Sequence, residues 1–324
     1  MAVAALVTVI CGLSQPAHAG RPQPEIAFRL TDSRIIESSG LAASTRHKGV
    51  TWTHNDSGGG PRLYAVNSKG RTLARLTLAD LDPYDWEGLA TGPRNTLWIG
   101  DIGDNSERRE TIALFRVTEP ARLANGAVAW TRFRFRYPDG AHDAEAVLVH
   151  PRTGRVYVAT KGIVGGGLYA GPERLRTGEV NDLTRVAGVP PLVTDGAFAP
   201  DGSRFALRGY ISAWLYAEPG DQIERIALPE MEQGESVTFS RDGRALLAGT
   251  EGADSPVWRV PLSDAAAAGP ATPAGEQRAA PAEPPETPVE PAPSVVPMLA
   301  AGAGVAAFLT TIGLTLRRRR HTRG

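Results

Sequence analysis

Carboxylates recur along this chain at one fixed place, just ahead of short apolar stretches. The copies begin 50, 58, 50 and 40 residues apart, and their acids are Glu37, Glu87, Glu145, Asp195 and Glu235. A carboxylate can hold a cation, accept hydrogen bonds or act as a general base. Repeats of this length, made of strands and turns, are typical of β-propellers, whose equivalent loops surround one channel. We therefore expect the five acids to converge.

A second series of polar residues follows the second strand signal of each repeat. In a four-stranded blade this loop opens on the same face as the loop that precedes the first strand. The two series together predict a mouth that binds a ligand through Glu37, Asp56, Glu87, Glu145, Lys161, Asp195, Arg208, Glu235 and Glu251. The two cations in this set make one side of the ring mixed in charge. The alternative interpretation is a ring of structural salt bridges between blades.

The segment Asp101-Ile-Gly-Asp104-Asn105 offers three oxygen-bearing side chains around a glycine. Hard oxygen ligands without cysteine favour Ca²⁺ or Mg²⁺ over zinc or copper. The sequence thus predicts a metal site at Asp101, Asp104 and Asn105, with calcium as its ion. The alternative is that these side chains cap turns by accepting backbone hydrogen bonds.

Signals for catalysis are sparse. His54 and His142 are candidate general bases, because each stands within two residues of a carboxylate in the predicted mouth loops. No nucleophile elbow, phosphate-binding loop, dinucleotide fingerprint or zinc spacing is present. No catalytic set is complete from the sequence.

The order of strand signals predicts an all-β fold, a propeller of five four-stranded blades over residues 20–263. Six blades are the alternative, because the long second repeat has room for an irregular blade. Only four fourth-strand signals lie between repeats, and a further one, Glu25-Ile-Ala-Phe-Arg-Leu, precedes the first. We expect this N-terminal strand to complete the last blade and so to close the ring.

Both ends of the chain predict export and membrane anchoring. Residues 1–19 resemble a signal peptide, with an apolar run and Ala17-His18-Ala19 before the cleavage point. Residues 264–294 are rich in Pro, Ala and Glu and predict an extended linker. Residues 295–316 carry no charge and are long enough for a transmembrane helix, and the basic residues of 317–324 indicate a cytoplasmic tail. The expected location is a single-pass membrane protein with its propeller outside the cell.

Charge excludes one class of partner. The chain has 35 basic and 35 acidic residues, but five of the basic ones lie in the last eight positions. The rest of the chain is therefore acidic by about five charges, whereas a nucleic-acid partner requires a basic face. The single cysteine, Cys11, lies in the predicted signal peptide, so we expect no disulfide in the mature chain.

Four segments carry a family resemblance: Glu37-Ser-Ser-Gly-Leu-Ala, Asn55-Asp56-Ser57-Gly58, Asp85-Trp-Glu87-Gly-Leu-Ala and Gly100-Asp-Ile-Gly-Asp104-Asn105. With these the chain resembles secreted bacterial β-propellers related to TolB-like and WD40-like repeat proteins, often actinobacterial and membrane-anchored. Some distant propellers bind calcium and cleave phosphate esters or lactones at the channel mouth. The resemblance implies that activity only by analogy of fold.

These observations favour a membrane-tethered module that binds an extracellular ligand or protein through its acidic mouth. The alternative is a calcium-dependent hydrolase of phosphate esters or lactones. It would use Asp101 and Asp104 for the metal and His54 or His142 as the base.

Overall fold

Short stretches of alternating apolar and polar residues, separated by Gly, Pro and Asp turns, form strands throughout the described chain. The computed structural model describes residues 22–56 and 59–269. Its elements in chain order are β1 (Glu25–Leu30), β2 (Ser38–Ala43), β3 (Val50–Asn55), β4 (Arg62–Asn67), β5 (Thr72–Thr77), β6 (Trp86–Gly92), β7 (Thr96–Asp101), β8 (Ile112–Thr118), β9 (Gly126–Ala127), β10 (Trp130–Arg136), β11 (Ala144–Val149), β12 (Val156–Thr160), β13 (Gly166–Ala170), β14 (Val180–Asp182), β15 (Thr184–Val189), β16 (Asp195–Phe198), β17 (Phe205–Arg208), β18 (Ser212–Tyr216), β19 (Gln222–Ala227), β20 (Gly234–Phe239), β21 (Ala245–Thr250), β22 (Ser255–Pro261) and α1 (Asp264–Ala268).

The strands form five sheets, each with four antiparallel strands, arranged as the blades of a propeller. Blade 1 contains β2 to β5, blade 2 contains β6, β7, β8 and β10, and blade 3 contains β11, β12, β13 and β15. Blade 4 contains β16 to β19, and blade 5 contains β20, β21, β22 and β1. The innermost strands β2, β6, β11, β16 and β20 each contact the next, and β20 contacts β2, which closes the ring. The prediction of an all-β five-bladed propeller is confirmed.

The N-terminal strand closes the ring, as the sequence predicted. Strand β1 pairs antiparallel with β22, with Glu25 opposite Arg259 and Leu30 opposite Ser255. The six-blade alternative is wrong, because the extra residues of the second repeat form β9, which adds to the outer edge of blade 1 beside β5. Strand β14 covers the edge of blade 2 in the same way, beside β10. Both additions occupy edges that would otherwise present open backbone groups.

The core is divided among the five spaces between neighbouring blades. Each space holds one cluster of buried apolar side chains, so no single central core exists in the described propeller. Trp52 and Trp86 anchor the cluster between blades 1 and 2, and Phe115 packs beside them. Because each cluster joins two blades, removal of one large side chain is expected to loosen a pair of sheets.

The two faces of the ring differ in their loops. The loops that lead into the innermost strands and the loops between second and third strands open on one face, which we call the mouth. Tight hairpins lie on the opposite face. In the hairpin after Pro200, Gly202 has a φ of 71°, a conformation that favours glycine and explains the Pro-Asp-Gly sequence.

The last described residues pack on the hairpin face. Residues 264–268, which composition assigned to the linker, form α1, with the Ser263 side chain accepting the N–H of Ala266 as N-cap. Ala266 is buried, and Arg204 donates to the carbonyl of Ala267 at 3.0 Å. The propeller unit therefore extends to Gly269, and the chain leaves it on the face opposite the mouth.

The predicted signal peptide at 1–19 and the predicted transmembrane segment at 295–316 lie outside the described residues. The chain divides into two units, Met1–Thr272 and Pro273–Gly324, and every described residue belongs to the first. Among the described residues no helix has the length and apolarity that a membrane crossing requires.

Candidate functional site

The first series of acids lies at the starts of the innermost strands, where the sheets are locally irregular. The pairing between the first and second strands shifts register at Ser38/Gly40, Trp86/Leu89, Ala144/Ala146 and Gly234/Val237. Such β-bulges re-aim side chains and are frequent near functional sites. Glu87, Glu145 and Glu235 stand inside these irregularities, and Glu37 stands directly before one. Blade 4 has a regular register, so its acid, Asp195, takes a different direction.

Three blades meet in a buried network around Glu87 and Glu145. Ser39 of blade 1 donates to Oε2 of Glu87 at 3.2 Å, and Glu87 is hydrogen-bonded to Glu145 of blade 3. Lys161 donates to Oε1 of Glu145 at 2.8 Å, and its ammonium lies 5.8 Å from the ring centre of Tyr210. A carboxyl pair can share a hydrogen bond only if one member carries a proton.

The pKa values of this pair are shifted to different degrees. Burial, followed by repulsion from Glu145, raises the pKa of Glu87 far above its usual range. Burial also raises the pKa of Glu145, but the ammonium of Lys161 opposes that shift. Glu87 is therefore the protonated member, and Glu145 carries the charge that Lys161 balances.

Glu251 belongs to a second group of acids, contributed by blades 5 and 1. Burial and repulsion from Asp56, Glu235 and Glu37 raise the pKa of Glu251 to about 7, and Glu145 contributes last. The five largest influences on this pKa all raise it, whereas the raised pKa of Glu235 is opposed by Lys161 and Arg208. Glu251 therefore lies in a cluster of acids contributed by two neighbouring blades.

Asp195 and Arg208 lie inside the boundary between blades 4 and 5. Both are fully buried. Arg208 donates to the carbonyls of Ser236 and Gly249, each at 2.6 Å, and a Cβ at Gly234 would collide with its guanidinium. Burial lowers the pKa of Arg208 to about 10. The polar atoms of Asp195 and Arg208, two members of the predicted ligand-binding set, thus make hydrogen bonds within the ring itself.

The predicted metal ligands are engaged by protein donors. Asp101 accepts the N–H groups of Tyr84 and Asp85 and pairs with Arg109 at 2.8 Å. Oδ2 of Asp104 accepts the N–H groups of Arg108 and Arg109, both at 2.6 Å. These are the contacts of the turn-capping alternative. No group of three or more His, Cys, Asp or Glu side chains placed to hold a metal ion exists among the described residues, and calcium binding at Asp101, Asp104 and Asn105 stays a prediction.

The two candidate bases have different surroundings. His54 is buried between blades 1 and 2, edge-on to the ring of Trp86 at 5.7 Å, and burial lowers its pKa to about 4. His142 lies between Asp139, at 3.0 Å, and the hydroxyl of Tyr169, at 3.1 Å. A role for either imidazole as a general base stays a prediction.

Apolar side chains project from the rim of the mouth. The four most exposed large hydrophobic residues of the described chain are Val164 (95% exposed), Ile163 (84%), Ile211 (72%) and Tyr84 (71%). Tyr84 lies in the loop that leads into β6, and the other three lie in loops between second and third strands. The loops of blades 3 and 4 are joined here, since Leu192 donates its N–H to the carbonyl of Gly162 at 3.0 Å.

The predicted ligand-binding set left out two further acids of the mouth loops, Asp85 and Asp143. Each precedes a site glutamate by two positions, so the doubled pattern Asp-x-Glu was the available signal. Oδ1 of Asp143 accepts the N–H of Asp104 at 2.8 Å, which joins blades 2 and 3. Burial and repulsion from Asp143 raise the pKa of Asp85.

No protein-family model and no curated protein sequence matches this chain. A gluconolactonase from Xanthomonas campestris has a similar structure, with 13% identity, a TM-score of 0.45, and coverage of 75% of this chain and 95% of that chain. The PQQ-bound aldose sugar dehydrogenase from Streptomyces coelicolor has 12% identity, a TM-score of 0.44, and coverage of 75% and 100%. U3-55K has 12% identity, a TM-score of 0.39, and coverage of 69% and 80%. Similarity at this level concerns the overall fold and carries no information about ligand or reaction.

Proposed function

We propose that this protein is an extracellular binding module, tethered to the membrane through residues 295–316, whose mouth binds a basic and apolar segment of a partner protein. One observation carries the proposal: the carboxylates and the four most exposed large apolar side chains share one face of the ring. Exposed apolar groups beside polar ones mark interaction surfaces more often than chance allows.

The distribution of acids in the mouth indicates that the partner segment carries a positive charge. Glu251 lies among Asp56, Glu235 and Glu37, and the Glu145 carboxylate beyond them is balanced by Lys161. A lysine or arginine side chain of the partner would relieve the repulsion at Glu251. Aliphatic neighbours of that side chain would cover Ile163 and Ile211. Electrostatic complementarity of this kind selects the partner and speeds its association.

The position of the last described residues is compatible with this role. The chain leaves the propeller at α1 and Gly269, on the face opposite the mouth. A Pro-rich linker in the following residues, as the composition predicts, would hold the propeller at a distance from the membrane.

Titration calorimetry with capped tripeptides tests the proposal on the propeller unit and on the full chain. We expect Leu-Lys-Leu to bind, Leu-Glu-Leu to show no binding, and Ser-Lys-Ser to bind more weakly. Glu251→Gln should weaken Leu-Lys-Leu about tenfold, and the double variant Ile163→Ser/Val164→Ser should weaken it without changing Ser-Lys-Ser. Glu232→Gln, an exposed acid outside the group, is the matched control.

Equal binding of the lysine and glutamate peptides, or no binding of either, would overturn the proposal. The hydrolase alternative is tested with the same preparations, by assaying lactone and phosphate-ester turnover with calcium and with chelator. Turnover that depends on calcium would replace the binding module by an enzyme.

A further inference from the structure

A cavity lies at the end of the channel opposite the mouth. It has a volume of about 230 Å³, and its lining comes from all five blades, where the innermost strands end and the hairpins begin. Since these strands start at the mouth, the cavity is separated from the acids by the length of the strands. It is therefore a different site from the one proposed above.

The lining is mainly apolar. Ten of the fifteen lining residues are Ala, Val, Leu, Pro or Phe, and the others are Ser44, three threonines and Arg241. The rings of Phe198 and Phe239 give it aromatic walls, while alanines such as Ala43 and Ala197 leave the central space open. Binding sites for small molecules typically combine an apolar lining with a few placed polar groups.

Arg241 is the charged group of this lining. It lies in the hairpin after β20 and its side chain crosses to blade 1, where it donates to the carbonyls of Ser44 at 3.2 Å and Thr45 at 3.3 Å. No carboxylate of the described residues lies within ion-pair distance of it, whereas Arg244 in the same hairpin pairs with Asp264. A guanidinium has five N–H groups, so Arg241 retains donors beyond these two contacts.

We propose that this cavity binds a small monocarboxylic acid whose apolar body fills the channel end and whose carboxylate pairs with Arg241. The guanidinium fork matches a carboxylate in geometry, and a charge-assisted pair is stronger than a neutral hydrogen bond. The volume equals that of about eight water molecules at ~30 Å³ each, which suits a short acyl or single-ring body.

The length of the ligand's apolar body and the charge of its head group can be tested separately. Shorter acids leave part of the cavity empty and lose apolar contact, whereas longer ones must extend past the hairpins into water. Neutral amides of the same length keep the apolar contact but lose the charge. Amines of the same length place a like charge beside Arg241.

Calorimetric titration of the propeller unit with octanoate, octanamide and octylammonium tests the proposal. We expect octanoate to bind at least tenfold more tightly than octanamide, and octylammonium to show no binding. Arg241→Gln should weaken octanoate about tenfold and leave octanamide unchanged, with Arg244→Gln as the matched control. Ala43→Leu should weaken octanoate and octanamide together, because the larger side chain fills the space.

Thermal melting of each variant without ligand shows whether it folds, and Arg241→Lys provides a second variant that keeps the charge. Equal affinity for acid and amide, or an unchanged affinity of Arg241→Gln for octanoate, would overturn the assignment of the head group. Absence of binding by all three compounds at millimolar concentration would overturn the site. Glu251→Gln should leave octanoate binding intact. A failure of the cavity proposal can therefore be distinguished from a failure of the mouth proposal.

Discussion

Asp195 and Arg208 hold opposite sides of a single peptide group in the neighbouring blade. They face each other in the register of β16 and β17. Oδ2 of Asp195 accepts the N–H of Val237 at 2.7 Å, and Nη1 of Arg208 donates to the carbonyl of Ser236 at 2.6 Å. The register shift between Gly234 and Val237 leaves this peptide outside the regular ladder of β20 and β21. The pair therefore satisfies backbone groups that the bulge exposes.

Loss of Arg208 is predicted to cost more stability than loss of any exposed arginine. Arg208→Met should lower the free energy of unfolding by about 3–5 kcal/mol, because the buried carbonyls of Ser236 and Gly249 lose their donor and Asp195 loses its coulombic attraction to the guanidinium. Urea denaturation followed by tryptophan fluorescence measures the effect. Arg225→Met, at an exposed position of β19, should change stability by about 0.5 kcal/mol or less. A loss below about 1 kcal/mol for Arg208→Met would contradict the structural role.

The protonated state of Glu87 predicts an asymmetry between two substitutions in one network. Glu87→Gln should change the free energy of unfolding by less than about 1 kcal/mol at pH 7, because an amide imitates a protonated carboxyl group. Lys161→Met should cost about 2 kcal/mol, since it removes a charged hydrogen bond from buried Glu145. Chemical denaturation of both variants measures the difference. If Glu87→Gln proves the more costly of the two, Glu87 is ionised in the folded protein.

The closed ring of blades and the placement of the acids on one face could be predicted from local sequence patterns. The alternation of apolar residues and the Gly, Pro and Asp turns can each be recognised from a few consecutive residues. The recurrence of these patterns along the chain then determines the number of blades and the order of the strands. The strand Glu25–Leu30 could be placed in the last blade because every other blade already had its outer strand.

The role of each acid could not be predicted in the same way. Glu87 and Asp195 occupy equivalent positions, yet Glu87 is hydrogen-bonded to two neighbouring blades and Asp195 is buried against Val237. The difference arises from a bulge at Trp86/Leu89 that blade 4 lacks, and from Arg208 on the adjacent strand. Both depend on contacts between residues distant in sequence. Strand β9 was not predicted for a different reason: it has only two residues, too few to show a periodic pattern.

Removal of the Asp104 side chain is predicted to loosen its loop whether or not calcium is present. Asp104→Ala should lower the free energy of unfolding by about 1–3 kcal/mol, because the N–H groups of Arg108 and Arg109 lose their acceptor. Thermal melting with calcium and with chelator measures this, and Asn105→Ala, at an exposed neighbouring position, is the control. A stabilisation of the unmodified protein by calcium that vanishes in Asp104→Ala would instead establish the metal site.

The cluster of acids around Glu251 predicts that the unliganded propeller loses stability as the pH rises. The pKa of Glu251 is raised from 4.5 in the unfolded chain to about 7, so the folded state binds more protons between these values. This contribution is therefore most favourable below pH 4.5 and is lost as the pH rises through 7. Asp56, Glu235, Glu37 and Glu145 all add repulsion at Glu251.

Glu251→Gln removes the ionisation and should raise Tm at pH 8 while leaving Tm at pH 5 nearly unchanged. Solvent screening of this half-buried group limits the gain to about 1 kcal/mol, or ~2–4 °C for a domain of this size. Scanning calorimetry from pH 5 to pH 8 measures the change, with Glu232→Gln as an exposed control. The same ionisation should make Leu-Lys-Leu bind more weakly at pH 6 than at pH 8, because a protonated Glu251 offers the lysine no charge. A Tm difference that is equal at both pH values would show that Glu251 is ionised throughout and that a cation already balances it.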